Sequence, residues 1–247
     1  MSFRLTSDPS ERIRKIEKLL LMVRFVWRFP RVKGAWPKYE YIKPWLADLA
    51  PATVVDIGVN HSQFLHLASR LWPGADIIGV EPNVALAEKA NRYYSDNPRV
   101  RVEACAVGAE DGTIDLFVTP NDQNSSIHKP TAAFHDDRSN DGVVRTDPVK
   151  LARLDGLLDG VKGPILLKID VQGAELEVLQ GAGDRLDDVT VVIIESPFEV
   201  SYDGAAGFDE IYRFLTARGF AYEGALGQLN SKHTGRVRQE DSIYVRR

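Results

Sequence analysis

Two stretches, Val54-Val55-Asp56-Ile57-Gly58-Val59-Asn60 and Leu166-Leu167-Lys168-Ile169-Asp170-Val171-Gln172-Gly173-Ala174-Glu175, each close an apolar, β-branched run with an acid and a glycine. A continuous apolar run suits a strand buried on both faces of a parallel sheet, and the polar residues that follow then stand where the strand emerges at its carboxyl end. Open α/β sheets bind their ligands along that edge. Two such strands, with further strand and helix patterns between them, predict an α/β domain with a cofactor site and a reaction site side by side.

Working outward from these runs, a βα rhythm begins after Pro51. Strands are expected at Thr53 to Ile57, Asp76 to Val80, Arg101 to Val107, Thr113 to Val118, Ile165 to Ile169, Val189 to Ile194, Phe220 to Glu223 and Ser242 to Val245. Helices are expected at Gln63 to Leu71, after Glu81-Pro82-Asn83 with the proline in the first turn, at Leu151 to Leu158, at Ala174 to Gly181 and at Phe208 to Arg218. Between Thr119 and Pro148 the periodicity lapses into Asn, Asp, Ser, Gly and Pro, the signature of a functional or disordered loop, and a lid or acceptor loop is expected over 119–148. There is no internal repeat.

Ahead of this domain (51–247) the sequence suggests an N-terminal helical extension (1–50). Ser10 can cap a helix over residues 10 to 29 in which Ile13, Ile16, Leu20, Val23 and Trp27 recur at steps of three and four, and Pro30 ends it. From Glu11 to Lys33 eight basic residues face two acids. Such a helix packs on its own domain with solvated charges, or lies on an anionic membrane or acidic partner. Packing on the domain is the simpler expectation, with a homo-oligomer possible.

Composition bounds the rest. The 247 residues are 44% hydrophobic and 27% charged, enough for a sizeable core, and the net charge of −4 gives no global positive field for a nucleic acid. Cys105 is the single cysteine, which excludes an internal disulfide and a cysteine-rich zinc site and suggests a reducing compartment. The run Leu19 to Val23, closed by Arg24, is too short to span a membrane and badly placed for a secretory signal, so no stable membrane insertion and a cytoplasmic location are expected.

A dinucleotide fold needs several glycines in its first turn so that backbone can approach a pyrophosphate. Gly58 is present, but Asn60 and Gln63 hold the second and third glycine positions, which disfavours NAD. S-adenosylmethionine has no pyrophosphate, and one glycine can suffice beside its amino acid portion. Glu81, 23 positions after Gly58 at the end of the second strand, can accept hydrogen bonds from both ribose hydroxyls. Asp56 can orient the loop or meet the ligand's amino group through water; a turn or capping acid is the alternative.

Taken in order, Asp56-Ile57-Gly58-Val59-Asn60, Glu81-Pro82-Asn83, Ala106-Val107-Gly108, Asn124-Ser125-Ser126-Ile127, Leu154-Asp155, Leu167 to Glu175 and Asp241-Ser242-Ile243-Tyr244-Val245 resemble the FkbM-type methyltransferases over residues 53 to 246. The resemblance implies a Rossmann-like fold, S-adenosylmethionine as cofactor, and methylation of hydroxyls on sugars, glycolipids or polyketide-type products. It places Asp56, Gly58, Asn60, His61, Ser62, Glu81, Pro82, Ala106 and Asp170 around the cofactor. One departure stands out: the family usually has glycine two positions after Asn60, where this chain carries Ser62, preceded by His61 as a tolerated loop residue or a new polar contact.

Methyl transfer from a sulfonium leaves the protein to position and deprotonate the acceptor. Asp170, at the mouth of its strand, is the first candidate base, with capping of the following helix as its alternative role. Lys168, two residues earlier on the same side, can hold Asp170 ionised, touch the acceptor, or form a structural ion pair. Gln172 and Gly173 permit a tight turn, and Glu175 suits the helix dipole. Glu195 could line the acceptor pocket; Glu195-Ser196-Pro197-Phe198 is only weakly similar to the proline-aromatic motif of amino-group methyltransferases. His128 and His135 are solvated loop residues or bases brought in by loop closure. Asp170, Glu195 and a loop histidine could bind a divalent metal, but their dispersed spacing argues for none. The expected enzyme is an O-methyltransferase acting on a small-molecule or glycan hydroxyl; a silent adenosylmethionine-binding or assembly protein and, more remotely, a dinucleotide-dependent oxidoreductase are the alternatives.

Overall fold

The computed structural model describes residues 44–132, 134, 142–231 and 233–247. The helix expected over residues 10 to 29, and His135, lie outside them. A short helix α1 (Pro44–Ala47) precedes β1 (Thr53–Ile57), α2 (Gln63–Leu71), β2 (Asp76–Val80), α3 (Val84–Tyr93) and β3 (Val100–Glu103). Then come β4 (Ala106–Gly108), β5 (Gly112–Val118), β6 (Arg145–Arg153), α4 (Leu154–Leu157), β7 (Ile165–Ile169) and α5 (Glu175–Gly181). The chain closes with β8 (Val189–Pro197), α6 (Phe208–Thr216), β9 (Phe220–Asn230) and β10 (Val237–Arg246).

Seven strands form one sheet in the order β3-β2-β1-β7-β8-β10-β9, parallel except for β10, which runs antiparallel to both of its neighbours. The unbroken apolar runs have a direct cause here, because alternate residues serve two different cores. Val54, Ile77, Leu166 and Ile193 face one layer with Phe64, Leu67 and Ala87 from α2 and α3, whereas Val55, Ile78, Leu167 and Val192 face the other with Val178, Leu179 and Ile211 from α5 and α6. Strand order reverses between β1 and β7, so their carboxyl ends part and leave a crevice.

Three expectations need correction. The strand expected from Arg101 to Val107 is divided: β3 pairs with β2, while β4 turns off into a second sheet of order β4-β6-β5. The helix expected from Leu151 is a strand as far as Arg153, because Arg145 to Leu151 pair antiparallel with β5, and Leu151 to Arg153 also pair with β4. That pairing satisfies a backbone whose local pattern looks helical. Pro82 does not occupy the first turn of α3; Asn83 caps that helix, its side chain accepting the Ala85 and Leu86 N–H groups, and Pro82 stands before the cap.

Candidate active site

The crevice at the carboxyl ends of β1, β2, β7 and β8 is a cavity of about 290 Å³. It is lined by Gly58, Asn60, Glu81, Pro82, Cys105 and Ala106 at one end and by Lys168, Asp170, Gln172, Glu195 and Gln239 at the other. Asp122 to Ile127 complete the wall.

The floor depends on Gly58. A Cβ there would stand 1.9 Å from the Asp170 carbonyl oxygen, and the residue has φ of 86°. The reason for a glycine is therefore the crossing of the β1 and β7 ends, where the Asp170 N–H also donates to the Ile57 carbonyl. Beside it, Glu81 is buried and accepts the Asn60 N–H at 2.8 Å on Oε2 and the Asn83 N–H at 2.9 Å on Oε1. Burial pushes its carboxyl pKa above the ordinary value, opposed by those two N–H groups. Each oxygen retains a lone pair toward the cavity, which suits vicinal hydroxyls.

At the other end, Lys168 stands between two carboxylates, its Nζ 3.3 Å from Asp56 Oδ1 and 3.3 Å from Asp170 Oδ2, over the Phe64 ring at 5.7 Å. Asp56 pairs with Lys168 across the β1–β7 register and is fully buried, so it does not line the cavity. The expected ligand contact by Asp56 is replaced by a structural ion pair, and burial raises its pKa to about 6 against the attraction of Lys168. Asp170 keeps 37% of its side chain exposed while Gln172 Nε2 donates to its Oδ1 at 2.9 Å. Glu195 accepts from the amides of Gln172 and Gln239, and it lies opposite Asp241 in the β8–β10 pairing. Burial raises the Asp241 pKa to about 6, with the Asp170 carboxylate adding to it.

Three expected site residues stand elsewhere. His61 and Ser62 face a neighbouring hollow with His66, Lys89, Tyr93 and Tyr94, and His61 Nε2 lies 3.0 Å from Asp122 Oδ1. His128 does not line the cavity; its Nε2 is 3.2 Å from Glu177 Oε1, and that partner raises its pKa. Ser62 has φ of 63°, the left-handed conformation that glycine adopts most readily. Among the described residues, no group of three or more His, Cys, Asp or Glu is arranged to hold a metal ion.

Sequence reading missed Gln239 and Tyr202, which reach the site from distant strands and loops without a local signal. It also treated Gln172 as a turn former and Glu175 as an acid suited to the helix dipole, with no further role for either. Glu175 is buried and accepts the Val171 and Gly173 N–H groups at 3.0–3.1 Å, which folds the turn under Gln172.

The single glycine after β1, the acid ending β2 and the cavity at the switch point are set in the fold of a Rossmann-like methyltransferase of class I. A family model, the methyltransferase FkbM domain, matches residues 56–222, and the chain belongs to that family. Its methyl donor is S-adenosylmethionine, which removes the oxidoreductase alternative. Among curated relatives it is 27% identical to "Methyltransferase 1" of Beauveria bassiana (strain ARSEF 2860) over 199 residues, 70% of this chain and 76% of that one. It is also 27% identical to "Methyltransferase sdnD" of Sordaria araneosa over 175 residues, 60% of this chain and 67% of that one. Among solved structures, fibrillarin of Aeropyrum pernix with natively bound S-adenosyl-L-methionine is similar with a TM-score of 0.47 and 11% identity, over 86% of this chain and 73% of that chain.

Proposed function

We propose that the protein methylates a hydroxyl of a sugar, glycan or glycolipid, or of a secondary metabolite, with Asp170 as proton acceptor. The observation that carries this reading is a carboxylate that is both held and open. Lys168 and Gln172 fix one position on each oxygen of Asp170, and over a third of the side chain still faces the cavity. Glu81, Gly58, Asn60, Pro82 and Ala106 form the cofactor end, Glu81 taking the ribose hydroxyls.

When bound, S-adenosylmethionine supplies a sulfonium methyl: the acceptor oxygen forms its bond to that carbon as the carbon–sulfur bond breaks, the electron pair leaving on sulfur. Asp170 takes the hydroxyl proton as the oxygen attacks, and Lys168 beside it holds one of its oxygens in place.

Asp170→Asn preserves size and most hydrogen bonding but removes the basic oxygen, so turnover is expected to fall about 100-fold to 10,000-fold. Adenosylhomocysteine release with a panel of monosaccharide and polyketide alcohols measures it, and cofactor affinity should stay unchanged by calorimetry. Near-normal turnover would pass the role to Glu195. No adenosylhomocysteine formation by the intact protein with any panel member would favour the silent binder. Activity abolished by chelator and restored by Mg²⁺ or Mn²⁺ would instead make Asp170 a metal ligand.

A further inference from the structure

Gln172 is held more tightly than a turn residue requires. It is buried with φ of 60°, a left-handed conformation that a non-glycine residue adopts only at a cost. Its backbone carbonyl accepts the Ser126 Oγ–H at 2.6 Å, and the next residue, Gly173, packs so closely on Tyr202 that a Cβ would stand 2.8 Å from the tyrosine's own. The side chain spans the reaction end of the cavity. Nε2 lies 2.9 Å from Asp170 Oδ1 and 3.3 Å from both Glu195 oxygens, and Oε1 lies 3.0 Å from the Tyr202 hydroxyl. That hydroxyl also reaches the Asn124 carbonyl at 3.1 Å. The opposite amide orientation would set an oxygen against two carboxylates, so the network fixes which end faces the acceptor.

We propose that Gln172 is a positioning residue for methyl transfer: its amide clasps the Asp170 and Glu195 carboxylates together, and Tyr202 and Ser126 lock it in that role. The inference rests on the reading of Asp170 as proton acceptor. Two carboxylates converging on one cavity repel and turn away from each other unless a shared donor lies between them. An amide supplies two N–H donors without adding charge, and so leaves the basicity of Asp170 available. A lysine there would hold both acids too strongly, and a glutamate would add a third negative charge. The remaining charged groups around the pair are Lys168 and Asp56 on the β7–β1 side, Glu175 under the turn that carries Gln172, and Asp241 across from Glu195. None of them bridges the two carboxylates as Gln172 does. The strained backbone is the geometry that brings a residue just past the β7 end back over it.

Gln172→Met keeps length and volume and removes the donors. Adenosylhomocysteine release with the same panel of alcohols should show kcat reduced about tenfold to hundredfold, the range for losing hydrogen bonds to charged groups, with the Kd of adenosylhomocysteine unchanged. The acid limb of the kcat pH profile should move upward, because carboxylates that lose a donor and keep each other's repulsion hold protons more tightly. A purely structural role would move melting temperature and Kd instead. Wild-type kcat and an unmoved acid limb in a folded Gln172→Met overturn the proposal. Where that variant fails to fold, Tyr202→Phe carries the test, since it frees the amide to turn: the same upward shift supports the clasp and an unchanged profile sinks it. Normal turnover in Asp170→Asn fails the underlying reading, whereas an inactive Asp170→Asn beside a normal Gln172→Met fails the clasp alone.

Discussion

Glu81 is the residue on which cofactor affinity should depend most. Its carboxylate closes the β2 end by accepting two backbone N–H groups and faces the cavity with what remains. If Glu81 takes the ribose hydroxyls as proposed, removing it deletes those charge-assisted bonds and unties the Asn60 loop, so Glu81→Ala should weaken adenosylhomocysteine by at least about tenfold to hundredfold in calorimetry. Unchanged affinity would remove Glu81 from the cofactor site. Ser62 allows the opposite kind of test. It sits in left-handed backbone at the start of α2, and its side chain makes no capping hydrogen bond there. Relief of that conformation outweighs the extra chain entropy of glycine, so Ser62→Gly should stabilise the protein by about 0.5–1 kcal/mol in chemical denaturation. A loss of stability would mean that the serine is held by something other than its turn.

The segment between β5 and β6 is the element whose sequence reading was least complete. Its low periodicity marked it as irregular, and residues 122–127 form a wall of the cavity through a 3-10 turn at Asp122–Asn124. What the sequence could not show is that it returns along β5, with Phe117 and Ser126 exchanging backbone hydrogen bonds, and that β6 is a strand whose partners are distant in sequence. Helical spacing at Leu151, Leu154 and Leu158 is real, but only the last turn uses it; pairing decides the rest. The segment touches the cofactor turn at His61–Asp122 and the acceptor end through Ser126 and Gln172. Ligand that bridges the two ends should therefore hold it closed. Limited proteolysis between residues 121 and 146 is expected to slow when adenosylhomocysteine and an accepted alcohol are both present. Equal cleavage rates with and without them would deny it a lid function.

At the scale of the whole molecule, the parallel sheet was legible because burial on both faces writes continuous apolar runs into β1, β7 and β8, and the acids at their ends mark the ligand edge. The same burial hid the roles of those acids: a sequence gives Asp56 and Asp170 equal prominence, and the β1–β7 register decides that Asp56 lies beside Lys168 inside the sheet while Asp170, two residues past Lys168, reaches the cavity. Burying carboxylates also sets how the fold responds to pH. Desolvation raises Asp56 and Asp241 to about 6 and Glu175 to about 7, well above the values of 3.8 and 4.5 for the same groups in water. Between those limits the folded chain binds protons that the unfolded chain has released, so each group's contribution to stability declines as pH rises from about 4 toward 7. His128, raised by Glu177, has the same sign: its contribution is complete below the unfolded value of 6.5 and is lost as pH climbs through its folded value. The protein should consequently melt at a higher temperature at pH 5 than at pH 8. Glu175→Gln should flatten that slope, because it removes the most strongly raised of these groups and keeps an acceptor for the Val171 and Gly173 N–H groups. A melting temperature that rises from pH 5 to pH 8, or a slope untouched by Glu175→Gln, would show that these buried acids do not govern the pH dependence of the fold.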